Sequence, residues 1–385
     1  MKSLTYLSTM AFAALLTFSS CKKDTKEPGP EPEPTPVVPT TPTYTIPTSY
    51  NFSNSSATVT STQRIAMLGE LTTYIRSTHT MTTATQPTIT AQKLKDMYSN
   101  AASQFTGTGL NASGIQLKDK TGNLLSFQTL LEANFDDAQL ASIAAAANPT
   151  TTTASSGVKG KLISPTLARA ILVDGNGFEY KEYAEKGLMG AVFYYQATTI
   201  LSTLSALDNT TLTLVNGATA QERAWDEAFG YFGVPTDFPT NLNGLKNWGS
   251  YCNSVNVAIG SNSLIMNAFL KGRAAIVNKD TVGRNAARAA VINNWEKVVA
   301  AKCISYLKGA KNNLSDPATL HHNLSEGWGF VLAFQYNPAK TISNADITIL
   351  LNYFGTNLYN MPTGNLDLAI AKLETVFGLN ASLIP

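Results

Sequence analysis

The stretch from Pro317 to Pro338 constrains the fold more than any other part of this sequence, because it predicts a helix with almost no polar surface. Between Asp316 and Lys340 the only acidic residue is Glu326, and there is no lysine or arginine. A helix that is apolar on nearly every side is usually an interior helix. The other helices are therefore expected to pack around this segment.

The polar residues of this predicted helix fall on one strip. On a helical wheel the strip contains His322, Glu326, Gly329 and Ala333. Because a buried carboxylate without a partner costs several kcal/mol, Glu326 needs a cation, a metal ion or hydrogen-bond donors. His322 precedes Glu326 by four residues and lies on the same face of the helix, as two ligands of one ion would.

The sequence leaves two interpretations of this pair open. In the first, His322 and Glu326 bind a metal ion together with carboxylates from other helices. The candidate carboxylates are Glu182, Glu185, Asp226 and Glu227. In the second, Glu326 bonds His322 or an arginine in a closed side-chain network. The candidate arginines are Arg273, Arg284 and Arg288.

Two pairs of charges spaced by four residues carry more local predictions. Glu182 and Lys186 have the spacing of a favourable ion pair on one helix face. Glu222 and Asp226 are like charges at the same spacing, which disfavours a helix unless a cation lies between them. Arg223 is the nearest candidate for that cation.

Helical periodicity predominates from Ser61 onward, and no alternating apolar run with hairpin turn signals predicts a sheet. The predicted fold class is all-α, a multi-helix bundle with long antiparallel helices. The two longest predicted helices, 249–279 and 282–311, are joined by two residues and should form an antiparallel hairpin. A short helix is predicted over 164–171. The predicted N-caps include Thr90, Asp316 and Ser343.

The N-terminal residues have the layout of a lipoprotein signal. Residues 1–20 combine an early lysine, a short apolar run and small residues before Cys21. This ending resembles the lipobox of bacterial lipoproteins, in which the cysteine is acylated after cleavage. Residues 21–48 contain eight of the 17 prolines, which predicts an extended tether. We therefore expect the membrane as a partner, reached through a lipid anchor on Cys21.

Composition sets limits on the helical body, residues 49–385. Its length suits one large domain or two packed halves, with a seam near the Thr-rich and Ser-rich segment 148–160. The 28 basic residues nearly balance the 26 acidic ones, so no basic excess indicates a nucleic-acid partner. Cys252 and Cys303 are too few for a disulfide framework and are expected as buried free thiols or as one bridge.

The sequence contains no signature of a common enzyme class. HExxH, CxxC, GxxxxGK[ST] and GxSxG are all absent. The Gly-rich segment from Asp174 to Gly177 predicts a turn that leads into the next helix, since the acidic residues of a calcium loop do not follow it. No nucleophile with an adjacent base is visible, which favours a non-enzymatic role.

Three segments carry a resemblance to a known family: YNFSNSS to TQRIAMLGEL at the front, ERAWDEAFGYFGVP in the middle and HHNLSEGWGFVLAFQYNP near the end. They resemble uncharacterised lipoproteins of Bacteroidetes-type bacteria, which are distantly similar to imelysin-like proteins. The imelysin-like signature is GxHxxE, whereas this chain has four-residue spacing from His322 to Glu326. The resemblance implies a helical outer-membrane lipoprotein, periplasmic or surface-exposed, that binds iron or another divalent metal.

Two functional hypotheses of different kinds follow. The first is an envelope lipoprotein that binds a metal ion, with iron acquisition as one use, or another small ligand through a buried His/Glu site. The second is a non-catalytic interaction or structural module whose buried polar residues only fix the register of the helices. A peptidase is a third hypothesis, with no motif in its favour.

Overall fold

The structure is a computed structural model that describes residues 42–55, 58–81, 86–212 and 217–385. Residues Thr43–Pro385 form one compact unit. The predicted signal peptide, Cys21 and most of the predicted tether lie outside the described residues. Within the described ranges helices predominate, beside one two-stranded sheet, so the predicted all-α fold class is confirmed. No described helix is long and apolar enough to cross a membrane.

The secondary structure elements are numbered in chain order. The strands are β1 (Gly160–Ile163) and β2 (Ala170–Val173). The helices of the first half are α1 (Thr58–Arg76), α2 (Ala91–Ser99), α3 (Phe127–Ala146), α4 (Tyr180–Leu188), α5 (Tyr195–Thr203) and α6 (Ala220–Phe232). Those of the second half are α7 (Asn247–Ile259), α8 (Ser261–Val277), α9 (Thr281–Lys311), α10 (Pro317–Ala333), α11 (Asn344–Phe354) and α12 (Gly364–Phe377).

Helix α10 is the predicted interior helix, and most of its residues are buried. The carboxylate of Asp316 accepts a hydrogen bond from the backbone N–H of Thr319, and Pro317 is the first helical residue. This confirms the predicted N-cap. Helix α10 packs against α4, α9 and α11, so its polar strip faces other helices and not solvent.

The predicted long hairpin is present, with one break. The helix expected over 249–279 is divided at Gly260, whose φ of 64° ends α7 and begins α8. This left-handed backbone favours glycine, because glycine has no Cβ to clash. Asp280 in the link accepts a hydrogen bond from the backbone N–H of Gly283 and begins α9, which packs against α8.

The predicted helix over 164–171 is wrong, because its last residues belong to a strand. Strands β1 and β2 pair antiparallel, with Gly160 opposite Val173, and all their residues are buried. A short apolar run that is buried on both faces has no alternation, so periodicity cannot separate a strand from a helix there. Residues 148–159 lead into β1.

Helix α4 continues into α5 through a π-helical turn, Met189–Tyr194. Turns of this kind occur often at functional sites. Here the turn lies against α10, since a Cβ on Gly190 would be 3.1 Å from the Cα of Ala333. One helical turn earlier on each helix, a Cβ on Gly329 would be 2.4 Å from the Cβ of Lys186. Because Gly329 and Ala333 on the strip of α10 are small, α4 packs closely against α10.

The two body cysteines are free thiols, as one of the two sequence interpretations expected. Cys252 and Cys303 are both buried. Burial raises the pKa of the Cys252 thiol to about 12 and that of the Cys303 thiol further still. Neither thiol is therefore a reactive nucleophile at neutral pH.

Candidate functional site

Helices α4 and α10 bring a cluster of ionisable side chains together in the interior. Glu179 is the residue before α4, Glu182 lies in its first turn, and His322 lies on α10. The Nδ1 atom of His322 is 2.8 Å from Glu179 Oε2 and 3.6 Å from Glu182 Oε1. Both glutamate side chains are excluded from solvent, and the His322 side chain is only 14% exposed. These three residues form a nearly dry site.

Glu326 lies on the other side of the His322 ring. Its Oε1 atom is 3.5 Å from His322 Nε2, and its Oε2 atom is 3.3 Å from the Nζ atom of Lys186. Burial, and then the negative charge of Glu182, raises the pKa of Glu326 to about 7. Among the described residues its ion-pair partners are thus His322, which the sequence suggested, and Lys186, where the sequence offered Arg273, Arg284 or Arg288.

Two lysines of α4 offset part of the negative charge of the cluster. The Nζ atom of Lys186 is 2.8 Å from Glu182 Oε2, which confirms the predicted ion pair, and 3.3 Å from Glu185 Oε1. Lys181 pairs with Glu182 at 2.6 Å and also with Glu185. Burial acts to lower the pKa of Lys186, but the surrounding carboxylates outweigh it and raise this pKa well above its usual value. Lys186 is therefore charged at neutral pH.

Glu182 is the most enclosed member of the cluster. Burial opposes its ionisation, yet Lys186, Lys181 and His322 together hold its pKa well below the usual value. Its Oε2 atom accepts no hydrogen bond from a described residue, although Lys186 is within ion-pair distance. The same is true of Glu326 Oε2. Both oxygen atoms nevertheless face the Lys186 ammonium group, so ion pairs and not well-aligned hydrogen bonds offset their charge.

His79 borders the cluster from a third element, the 3₁₀ turn Ser77–His79 that follows α1. Its Nδ1 atom is 4.0 Å from Glu179 Oε1, and its Nε2 atom is buried without a hydrogen bond to a described residue. Burial lowers the pKa of His79 to about 4, so this ring is neutral at neutral pH. For His322, burial is outweighed by Glu179 and Glu182, and the pKa is raised.

The chemistry of the cluster suits a divalent metal ion. Glu179, Glu182 and His322 each offer one ligand atom, and these atoms all lie within 4.8 Å of one another. Carboxylate oxygens and an imidazole nitrogen are ligands that zinc, iron and manganese accept in proteins. Lys181 and Lys186 already pair with Glu182, so an incoming cation must compete with two ammonium groups for this carboxylate.

The structure brings four of the predicted ligands into this cluster: Glu182, Glu185, His322 and Glu326. The other two, Asp226 and Glu227, lie on α6 in different surroundings. Asp226 Oδ1 accepts hydrogen bonds from Arg273 Nε at 2.8 Å and from the Tyr50 hydroxyl at 2.7 Å. Glu227 accepts a 3.4 Å hydrogen bond from the Tyr231 hydroxyl. Neither has a contact that places it with His322.

The cation between Glu222 and Asp226 is Arg273 of α8, so the prediction of Arg223 is wrong. The Nη1 atom of Arg273 is 3.0 Å from Glu222 Oε1, and the guanidinium is fully buried. Residues one position apart on a helix do not face each other, so Arg223 cannot turn toward both neighbouring acids. The charged groups of this second buried cluster lie on α6 and α8, and Tyr50 and Asn54 add hydrogen bonds to it.

The sequence analysis did not include Glu179 or His79 among the candidate ligands. The sequence feature that could have pointed to Glu179 is the Gly-rich turn from Asp174 to Gly177 directly before it. This turn leads into the next helix, as predicted. Gly177 has a φ of 84°, and a Cβ on it would be 2.4 Å from the His321 ring. This close approach sets the start of α4 against α10, where the Ser325 hydroxyl accepts a 2.9 Å hydrogen bond from the Glu179 backbone N–H.

A cavity of about 1560 Å³ borders the cluster. Glu185 is one of its lining residues and is 15% exposed, so this side chain connects the ion cluster with the cavity. Most of the remaining lining comes from α1, from 104–110 and from 229–236. Its volume exceeds the roughly 300 to 1,000 Å³ of a typical small-molecule site. A small ion or molecule therefore has open space next to the cluster.

The fold and the site define an all-α domain with a buried centre of glutamate, histidine and lysine. The chain belongs to the family described as "Domain of unknown function (DUF4856)", whose model matches residues 47–372. That match includes every residue of the cluster. No curated protein and no solved structure matches the chain.

Proposed function

We propose that this protein is an envelope lipoprotein that binds a divalent metal ion through Glu179, Glu182 and His322. The observation that carries the proposal is the position of His322 Nδ1, which faces both carboxylates in a nearly dry site. The resemblance to imelysin-like lipoproteins supports iron as the ion and iron acquisition as its use. The cavity beside Glu185 supports entry of an ion or another small ligand from that side.

Each residue of the cluster has a distinct part in this proposal. Glu179, Glu182 and His322 would hold the ion, which supplies positive charge to a site rich in carboxylates. Ligation through Nδ1 requires the proton of the neutral His322 ring to be on Nε2, and that atom faces Glu326. Glu326 would then fix the orientation of the His322 ring from the side away from the ion, as carboxylates beside metal-bound histidines commonly do. Lys186 would neutralise Glu326 and Glu185 while the ion binds.

The test is calorimetric titration of the purified full-length chain with Fe²⁺, Zn²⁺ and Mn²⁺. We expect one ion per chain in the wild type. His322→Ala should lower the affinity by more than the roughly 10- to 100-fold that loss of a supporting group costs. Asp226→Asn is the matched control, because it alters a buried carboxylate in the separate Arg273 cluster. Equal loss in both variants would contradict a site at His322.

A structural or interaction module is the second candidate, and one observation favours it. Lys181, Lys186 and His322 already pair with the glutamates of the cluster, so these groups offset most of its negative charge without an ion. In that case no metal ion binds, and His322→Ala costs about 3 to 5 kcal/mol of unfolding free energy because it leaves buried carboxylates unpaired. Chemical denaturation of both variants in the presence of a chelator measures this cost beside the titration.

A further inference from the structure

The cavity beside Glu185 follows one face of α1. Its lining on this helix extends from Thr62 to Arg76, about 21 Å along the helix axis. Most of its other lining residues lie in the segments 104–110, 229–236 and 243–250. This length, together with the volume of about 1560 Å³, suits an elongated ligand better than a single small molecule.

The exposed part of the lining is hydrophilic. Four large apolar lining residues are at most 6% exposed and belong to the core: Ile65, Met97, Leu110 and Phe229. The exposed lining residues are mostly small or polar, among them Gly69, Thr73, Thr108, Thr236 and Asn243. Such a surface offers an acyl chain or the apolar face of a partner helix little contact.

Several polar side chains of the lining have free hydrogen-bonding capacity. Within the described ranges the following side chains form no hydrogen bond: Thr108, Thr236, Asn243, Asn247 and Ser250. Hydroxyl and amide groups both donate and accept hydrogen bonds, and so do the hydroxyl groups of a sugar.

The two acidic residues of the lining already have partners. Glu185 pairs with Lys181 and Lys186 of α4. Glu70 accepts hydrogen bonds of 2.7 and 2.8 Å from two backbone N–H groups in the segment 104–110. Their carboxylate oxygens are therefore occupied.

The three basic residues of the lining are in the opposite situation. Arg76, Lys93 and Lys246 form no ion pair with any residue that the structure describes. They lie on separate elements, at the end of α1, on α2 and before α7. Unpaired positive charges spread along a cavity attract a ligand with several negative charges. Lys93 also covers the Tyr74 ring at 4.6 Å, which leaves this ring unavailable for stacking on a nucleobase.

From these features we infer that the cavity binds an acidic oligosaccharide, a chain of sugars that carry carboxylate groups. The carboxylates would pair with Arg76, Lys93 and Lys246, and the sugar hydroxyls would bond the free hydroxyl and amide side chains. An acidic peptide of similar length is disfavoured, because extended peptides gain affinity by pairing with a strand edge. The described lining contains helices and loops but neither β1 nor β2. This ligand is independent of the metal function proposed above.

Calorimetric titration of the full-length protein in a chelating buffer tests the inference. Tetragalacturonate or tetramannuronate should bind. The methyl ester of tetragalacturonate has the same rings without the charges and should bind at least about 10-fold more weakly. Tetraglutamate has the charges without the sugar hydroxyls and should also bind at least about 10-fold more weakly. Failure of both uronates to bind, or equal binding of the ester or of tetraglutamate, would overturn the inference.

Substitution of Gly69 locates the binding. Gly69 is exposed on α1 within the lining, and a Cβ on it would meet no atom within 4 Å. Gly69→Phe should therefore fold, fill part of the cavity and weaken uronate binding at least about 10-fold. Gly364→Phe is the matched control, since its Cβ is equally free and it lies outside the lining. Unchanged affinity in Gly69→Phe, or an equal loss in Gly364→Phe, would overturn the location.

Substitution of the basic residues tests the role of charge. Arg76→Gln and Lys246→Gln should each weaken uronate binding by about 5-fold, as loss of an exposed ion pair does. Arg223→Gln removes an exposed arginine outside the lining and should leave the affinity unchanged. Equal affinities in all three variants would contradict pairing of the ligand with Arg76 and Lys246.

Discussion

The Nζ atom of Lys186 lies 2.8 Å from Glu182 Oε2, one turn away on α4, and solvent reaches neither side chain. The same ammonium group is 3.3 Å from Glu326 on α10 and 3.3 Å from Glu185. One lysine thus offsets carboxylates of two helices in an interior where an unpaired charge is costly. Packing of α4 against α10 depends on this lysine whether or not the cluster binds an ion.

Replacing Lys186 with methionine should destabilise the protein strongly. Lys186→Met removes the ammonium group and leaves Glu182 and Glu326 without their shared partner. Breaking a buried ion pair from one side costs about 3 to 5 kcal/mol. Chemical denaturation of the variant, compared with the wild type in the same chelating buffer, measures the loss of unfolding free energy.

Lys311→Met is the matched control for this substitution. Lys311 pairs with Asp367 at 2.6 Å, but the two side chains are 52% and 60% exposed. Exposed pairs contribute about 0 to 1 kcal/mol, so the control should be nearly as stable as the wild type. Similar small losses in both lysine variants would show that the buried charges rearrange or take up protons at little cost.

The raised pKa of Glu326 makes stability depend on pH. Its folded-state pKa of about 7 lies above the ordinary value of 4.5, so the folded protein binds the proton more tightly than the unfolded chain. Unfolding free energy should therefore fall as pH rises from 4.5 to 7, by about 1.4 kcal/mol per pH unit and about 3 kcal/mol in all. Below pH 4.5 the Glu326 carboxyl does not lower the unfolding free energy, and above pH 7 the full loss of about 3 kcal/mol remains.

Glu326→Gln removes this titration and should flatten that part of the pH profile. The comparison is the difference in unfolding free energy between wild type and variant, measured in a chelating buffer from pH 4.5 to 8. The raised pKa of His322 adds a loss of stability as pH rises above 6.5, and this part persists in reduced form in the variant. Parallel profiles for the two proteins would contradict the assignment to Glu326.

Much of the helical framework was predictable because its signals are local. The N-caps Thr90, Asp316 and Ser343 all accept the expected backbone hydrogen bonds. The apolar segment over α10 also identified the interior helix, since a helix without a polar face can be stable only when it is surrounded. The strands β1 and β2 were not predictable, because each has only four residues, all buried, and shows no alternation of buried and exposed positions.

The partners of the buried charges were predictable only within one helix. The pair of Glu182 and Lys186 follows from their spacing, whereas the contact of Lys186 with Glu326 joins residues far apart in the chain. Arg273 was one of three candidate arginines for Glu326 but pairs with Asp226, since no spacing rule relates α6 to α8 or α4 to α10. The identity of long-range partners depends on packing geometry, which composition and periodicity do not contain.

The lipid anchor on Cys21 remains a prediction, since this residue lies outside the described residues. Acylated wild type should enter the detergent phase in a phase-partition assay, because buried acyl chains supply about 0.8 kcal/mol per methylene. Cys21→Ala cannot be acylated at this position and should move to the aqueous phase. An unchanged partition of the variant would rule out the anchor at Cys21.

Glycine-to-alanine substitutions on two helices should have opposite effects on stability. On α10, a Cβ at Gly329 would be 2.4 Å from the Cβ of Lys186, which is closer than real side-chain contacts. Gly329→Ala must therefore push α4 away from α10 and should cost about 1 to 3 kcal/mol. On α1, a Cβ at Gly69 meets nothing within 4 Å. Gly69→Ala should stabilise the protein by about 0.5 to 1 kcal/mol, since alanine loses less backbone entropy in a helix.

Thermal and chemical denaturation of both glycine variants measure the two changes side by side. Because Gly329 touches the stem of Lys186, its substitution should also displace the ammonium group from Glu182 and steepen or shift the pH dependence of stability. A Cβ at Gly69 contacts no atom that could displace Lys186, so Gly69→Ala should keep the wild-type dependence of stability on pH. A stabilised Gly329→Ala with an unchanged profile would mean that α4 and α10 are not held at this distance in solution.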